Sequence, residues 1–318
     1  MFLESFQVTI SGIAQIVILG AAGFVLFKRN ILGVDGLNAI SRLVVEVTLP
    51  LLIFSQLIKD FSFAIYPNWW IFPLISIGIT IAGLLAGGIF SGSIIGWQKR
   101  VQFLSLTAFQ NSAYLPLVLI SSVIPQDSVD TMFVYLFLFL LGFNLVIWSF
   151  GVYMLTFTRT KRFEMGTLFS PPVIATLASL ILIYFGITKF IPPVVLKPIK
   201  MIGECTVPLA MFVVGGNLAA IKLEHMDKKA VFITVVVKLI LLPLLGLGLL
   251  RLINLPVLVG ALIVMQMSMP PATSLSVIIR HYKKEDLLIS QGIFFGHIVS
   301  LITIPLFLSL YFSLNMIK

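Results

Sequence analysis

The sequence predicts an all-α polytopic membrane protein, ten transmembrane helices arranged as two inverted five-helix repeats, and three observations lead there. The first is composition. Of 318 residues 59% are hydrophobic and 10% charged, and the mean hydropathy is +1.12, far outside soluble domains. The second is span count. About 20 apolar residues cross the hydrocarbon, and ten stretches qualify: 6–27, 37–58, 69–97, 101–124, 131–157, 172–188, 194–221, 229–253, 256–280 and 287–312. The third is a repeat. RLVVEVTLPLLIF (Arg42 to Phe54) lies over KMIGECTVPLAMF (Lys200 to Phe212) at an offset of 158 residues, matching Glu46 with Glu204, Thr48 with Thr206 and Pro50 with Pro208. Five spans per half is an odd number, so the second copy, 159–318, enters the membrane from the side opposite to the first, 1–158.

The first span opens on MFLESF, which lacks a basic run and has Glu4 as its first charge, so it reads as a retained helix and not a cleaved signal. Basic residues fall mainly in alternate connections: Lys28 and Arg29; Lys99 and Arg100; the midpoint loop with Arg159, Lys161 and Arg162; Lys222 with Lys228 and Lys229; Arg280 with Lys283 and Lys284. Opposite lie Lys59, Asp127, Asp130, Lys189 and Arg251. The positive-inside rule then places both termini outside the cytoplasm, with the chain in the cytoplasmic membrane. The net charge of +9 sits in these short connections, where topology accounts for it, and nucleic acid is not expected as a partner. The single Cys205 excludes an internal disulfide and a cysteine-based metal framework. No metal or cofactor is expected.

In the second and seventh spans, Glu46 and Glu204 stand near mid-membrane, where an ionisable residue is a functional candidate. Arg42 precedes Glu46 by four residues and Lys200 precedes Glu204 by four, so each acid also reads as one half of a structural ion pair on its own helix face. Both readings stand. The Phe-rich run from Met132 to Phe143 in the fifth span reads as lipid-facing or core surface, and Gly215, Gly216 and Asn217 as close helix packing. Lys238, in the eighth span, has no acid at helical spacing; it either meets a distant partner or the substrate's charge, or snorkels to the interface. His297 in the tenth span reads first as a satisfied core histidine.

Two spans are broken. In the ninth, VMQMSMPPATSLSVIIR, Pro270 and Pro271 lack N–H groups and leave the carbonyls of Gln266 and Met267 without donors. Irregular backbone at membrane depth is tolerated where it is buried in protein or lines a polar cavity, and Gln266, Ser268, Thr273 and Ser274 flank this break. In the fourth, FQNSAYLPLVLI puts Asn111 and Ser112 opposite Pro270 and Pro271, while Pro116 removes a donor from the carbonyl of Ser112. The Gln110–Asn111–Ser112 triplet offers groups to bond the freed backbone. Matched interrupted helices in the two halves point to a transporter's binding site. The half-helix restarting near Ala272 turns its positive end to mid-membrane, where an anion is favoured.

At these residues the sequence resembles the auxin efflux carrier family of plant exporters and bacterial permeases. The likeness runs along essentially the whole chain: LPLLIF in the second span, Asn111 to Pro116, PPVIATLASLIL, VPLAMFVVGGNLA, KLILLPLL and MPPATSLSVIIRHYKKED. The resemblance implies broken fourth and ninth helices that cross, a scaffold from spans 1, 2, 6 and 7, and a moving part from spans 3–5 and 8–10. It further implies an elevator motion and, in many members, a homodimer. It sets Asn111 beside the substrate and pairs Asn144 with Trp148. Ser112, Ala113 and Tyr114 replace the small residues, often glycines, usual at the fourth-helix break, which narrows the cavity. The long hydrophilic loop of many plant members is missing.

The expected function is therefore secondary or facilitated transport of a small organic anion, a carboxylate such as malate or an auxin-like acid, with membrane lipid as the other partner. The anion would be held by the half-helix N-termini, Asn111, Ser112, Asn144, Gln266 and Thr273, with Pro270 and Pro271 shaping the site and Lys238 compensating charge. A sodium- or proton-coupled symporter is the alternative. No His-Glu-x-x-His motif and no aspartate within a span appear, so catalysis is not expected.

Overall fold

The computed structural model describes residues 2–156, 169–221, 226–281 and 287–315. Arg159, Lys161, Arg162, the repeat boundary at 158/159, Lys222, Lys283 and Lys284 lie outside the described residues.

Among the described residues the regular structure is helical, apart from one isolated β-bridge. Seven helices among these residues are long and apolar enough to cross a membrane. They are α1 (Phe2–Lys28), α2 (Val34–Asp60), α3 (Ile71–Ser91), α6 (Gln126–Leu155), α8 (Pro193–Ala220) and α9 (Lys228–Leu252), with α12 (Leu287–Asn315). The stretches 101–124, 172–188 and 256–280 are built of shorter pieces: α4 (Trp97–Ala108), α5 (Tyr114–Val123), α7 (Pro171–Tyr184), α10 (Val257–Ser268) and α11 (Ser274–His281). The fourth and ninth stretches fall short because the chain leaves the helix at 109–113 and 269–273.

Prolines inside α2 and α9 are absorbed without a break. At Val44–Thr48 the helix widens by one residue, so that Leu49 N–H reaches back to Val44 O just ahead of Pro50. Val237–Leu241 does the same, with Leu242 N–H on Val237 O ahead of Pro243. A wide turn changes which carbonyls need donors, and so accommodates a residue that has no N–H.

Glycines set the closest approaches. A Cβ on Gly215 would enter the carbonyl of Gly20, and one on Gly23 the carbonyl of Phe212, so α1 and α8 touch through their backbones. α8 crosses α2 where a Cβ on Gly203 would lie 2.7 Å from Leu52 Cα. The expected close packing at Gly215 and Gly216 is present, Gly216 lying against Leu37. The Phe-rich stretch of α6 is core: Leu136 to Phe143 are all buried.

Candidate functional site

The two interruptions lie against each other. After Ala108 the backbone becomes extended at Phe109, and after Ser268 it becomes extended at Met269. The two extended pieces run antiparallel as a minimal bridge, Gln110 opposite Pro271. Asn111 N–H donates to Pro270 O at 2.8 Å, and Ala272 N–H donates to Phe109 O at 3.0 Å. Neither proline has an N–H, so these two bonds are the ones this register allows. Gln266 adds a side-chain tie, its Nε2 donating to Ser112 O at 3.0 Å, the carbonyl that Pro116 leaves without a helical donor. Of the carbonyls expected to lack donors, that of Gln266 accepts Met269 N–H at 3.4 Å.

Lys238 sits behind this crossing. In an unbroken helix Asn111 N–H would serve Thr107 O, but it has gone to Pro270. The Lys238 ammonium takes its place, donating to Thr107 O at 2.9 Å. A donor here satisfies a carbonyl that the end of α4 leaves without a helical partner. Lys238 is 1% exposed and is not among the residues lining the cavity described next; it neither snorkels nor reaches that space.

In front of the crossing lies a cavity of about 310 Å³, within the range of small-molecule sites. Gln110, Asn111, Ser112, Ala113 and Tyr114 from the first break and Ala272, Thr273 and Ser274 from the second form one wall. Arg42 and Glu46 of α2, Asn144 and Trp148 of α6 and Asn217 of α8 form others. The structure thus brings Asn111, Ser112, Asn144, Thr273, Arg42 and Glu46 together. Gln266, Pro270 and Pro271 are buried outside the lining and hold the crossing together. Lys200 and Glu204 pair at 3.6 Å on the exposed face of α8, away from the cavity.

Asn111 is oriented by a histidine. His297 Nδ1 contacts Ile293 O at 2.8 Å and its Nε2 contacts Asn111 Nδ2 at 3.3 Å. A carbonyl only accepts, so Nδ1 carries the proton, and in the neutral ring Nε2 then accepts from the asparagine amide. The second hydrogen on Asn111 Nδ2 stays available to a ligand. His297 is thus a bonded core residue that also positions a cavity residue. It lines a second, almost wholly apolar space of about 290 Å³ between α1, α8 and α12.

Two residues of the cavity wall carry more weight than their sequence context signalled. Gln110 is fully buried, and both atoms of its amide lack a hydrogen-bond partner among the described residues. Its side chain does not bond the freed backbone; it is a buried donor and acceptor in the cavity wall, and such a group is costly unless something satisfies it. The polar triplet was its only signal. Asn217 follows two packing glycines, and only the turn of α8 brings it to the cavity.

The cavity opens among the early residues of α2, the late residues of α6 and α8 and the start of α7, which is the end bearing the α1–α2 connection with Lys28 and Arg29. The opposite end carries a polar network between α2 and α6. Lys59 Nζ meets Asp130 at 3.0 Å and Asp60 at 3.1 Å, and Gln56 Nε2 donates to Asp60 at 2.7 Å and Asp130 at 2.9 Å, joining α2 to α6. Phe72 of α3 stacks on Tyr135 of α6 at 4.3 Å between ring centres.

Seven membrane-length apolar helices among the described residues, with two interrupted helices bonded back to back beside a polar cavity, define a multi-pass membrane transport protein. The family model described as membrane transport protein matches residues 8–167 and 156–308. The chain belongs to that family, the auxin efflux carriers. It is similar to PIN-LIKES 7 of Arabidopsis thaliana, 21% identical over 365 aligned residues that cover 86% of this chain and 89% of the relative. It is also similar to an uncharacterized transporter of Methanocaldococcus jannaschii, 32% identical over 140 residues, 43% of this chain and 44% of that one.

Proposed function

We propose that the protein carries a small organic anion, a carboxylate such as malate or an auxin-like acid, across the cytoplasmic membrane by secondary or facilitated transport. The observation that carries this reading is the cavity at the crossing. Both restarting half-helices, α5 and α11, turn their first residues to it, so free N–H groups and two positive dipole ends converge there. Asn111 and the unpartnered Gln110 amide supply further donors, and Arg42 supplies a full charge. Trp148 and Phe143 give an apolar flank against which a hydrocarbon or ring body fits.

Alternating access moves the crossing, with spans 3–5 and 8–10, against a scaffold of spans 1, 2, 6 and 7. The backbone contact of α1 with α8 and the α2–α8 crossing support a rigid scaffold. Under the positive-inside rule the open end faces the cytoplasm and both termini lie outside. The same reading takes the repeats 1–158 and 159–318 as related by inversion and the carrier as a homodimer in the bilayer.

One observation favours a second reading, coupling to sodium or protons. Gln266 Oε1 and Ser268 Oγ, in the last turn of α10, are buried without hydrogen-bond partners among the described residues, and side-chain oxygens beside an unwound helix are what a coupled cation uses. The test is charge movement and labelled uptake in proteoliposomes on adding malate or indole acetate, with and without sodium. Anion transport at the crossing requires a sodium-independent signal for one acid that Asn111→Ala weakens. A signal only with sodium selects the coupled reading, and a signal indifferent to Asn111→Ala overturns the site.

A further inference from the structure

Arg42 and Glu46 are the ion pair that lines the cavity, and they differ from its other polar groups in being open. Their side chains are 76% and 50% exposed, with Nε to Oε1 at 3.2 Å. The contact uses Nε, which leaves the two Nη groups of Arg42 for another acceptor. An exposed pair within one helix is weak, so Glu46 is a partner that a stronger carboxylate ligand displaces. A cargo carboxylate is such a ligand, because it meets the guanidinium two-pronged and the half-helix N-termini at once.

The second half of the chain carries the same pair in the same register. Lys200 and Glu204 lie 3.6 Å apart, with side chains 53% and 57% exposed, and each acid stands four residues before a proline, Pro50 or Pro208. Arg42–Glu46 lies to one side of the α2–α8 crossing at Leu52 and Gly203, and Lys200–Glu204 straddles it. Arg42 and Glu46 precede Leu52 on α2, toward the open end. Lys200 precedes Gly203 on α8, toward the end of the fold that carries the Lys59–Asp130 contact.

We propose that the two pairs are paired anion receptors on the scaffold helices, one for each opening of the carrier. At the opening seen here the cargo carboxylate displaces Glu46 from Arg42; at the opposite opening it displaces Glu204 from Lys200. The acids hold the basic groups in place between cargoes and compete with weaker anions. Arginine offers a two-pronged contact and lysine a point charge, so the Arg42 side binds the cargo more tightly. This inference rests on the carboxylate-transport reading above.

The experiment measures labelled malate and indole acetate uptake in right-side-out and inside-out membrane vesicles, giving KM and maximal rate for each face. Arg42→Gln raises KM roughly tenfold to a hundredfold on the face where the cavity opens, what a charge-assisted hydrogen bond is worth, with little change on the other. Lys200→Gln does the reverse, and Arg42→Lys restores part of the loss. Glu46→Gln lowers KM on the cavity face, because the competitor is gone. Should Arg42→Gln fail to reach the membrane, Arg42→Lys and Glu46→Gln carry the test, raising and lowering KM on that face alone. Equal shifts on both faces, or unchanged KM in a protein that still carries the acid, overturn the receptor assignment while leaving transport intact. An unaltered protein that moves no carboxylate from either face overturns the transport reading, and the receptors with it.

Discussion

Replacing Gly83 by alanine adds one methyl group where α3 passes the broken end of α4. A Cβ there would stand 2.5 Å from Thr107 O and 2.8 Å from Ala108 Cα. Neither atom can yield cheaply, since Thr107 O holds the Lys238 ammonium and Ala108 leads into the extended segment that pairs with Pro270. Overpacking of this kind costs about 1–3 kcal/mol. Gly78 and Gly88 on the same helix have nothing within 4 Å of the same added atom, and alanine at either gains up to about 1 kcal/mol in helix propensity. The gap between Gly83→Ala and these controls is therefore at least the overpacking cost. Thermal unfolding of the three purified variants in detergent, followed by tryptophan fluorescence, should put Gly83→Ala several degrees below both controls. Uptake should fall in parallel, because α3 pushes on the crossing. Equal stability of Gly83→Ala and Gly88→Ala would refute the claimed contact between α3 and the break.

Three further predictions test other links. Lys238→Glu sets an acceptor against Thr107 O in a fully buried position and should prevent a monodisperse peak in gel filtration, while Lys238→Met, which orphans one carbonyl but buries no polar group of its own, should still fold; equal tolerance of both would discount the bond to Thr107. Asp227 caps α9 by accepting Ala230 N–H at 3.1 Å and meets Lys99 at 2.7 Å, and the hydrogen bond from Lys99 is the main cause holding its carboxyl below the ordinary carboxylate range. A lowered native pKa means stability present above the unfolded value near 4 and lost as pH falls through the native one, so Asp227→Ala should cost about 0.5–2 kcal/mol at pH 7, a deficit that shrinks in acid when melting is compared across pH. His297→Leu removes the acceptor that orients Asn111 and should raise the KM for a carried acid while leaving the gel-filtration profile unchanged; an unaltered KM would make the Asn111–His297 contact incidental.

The sequence by itself determined what local chemistry dictates. Apolar length and charge placement specify a multi-pass membrane protein, because hydrocarbon leaves few alternatives to long apolar helices. Pro270, Pro271 and Pro116 mark the interruptions, because a missing N–H is a property of the residue and not of its surroundings. The pairs Arg42–Glu46 and Lys200–Glu204 follow from four-residue spacing on a helix, and both are present at 3.2 and 3.6 Å. Tertiary structure decided every relation across the fold. Lys238 finds its partner 131 residues away, Gln266 reaches Ser112 across 154 and His297 meets Asn111 across 186. It decided also that Arg42 and Glu46 line the cavity while Lys200 and Glu204 do not, that Gln110 is buried without a partner, and that Asn217 turns inward. The physical reason is that helices apolar all round carry no polar stripe to say which face meets which neighbour. Their orientation is set by where glycines let backbones touch, at Gly20 with Gly215 and at Leu52 with Gly203.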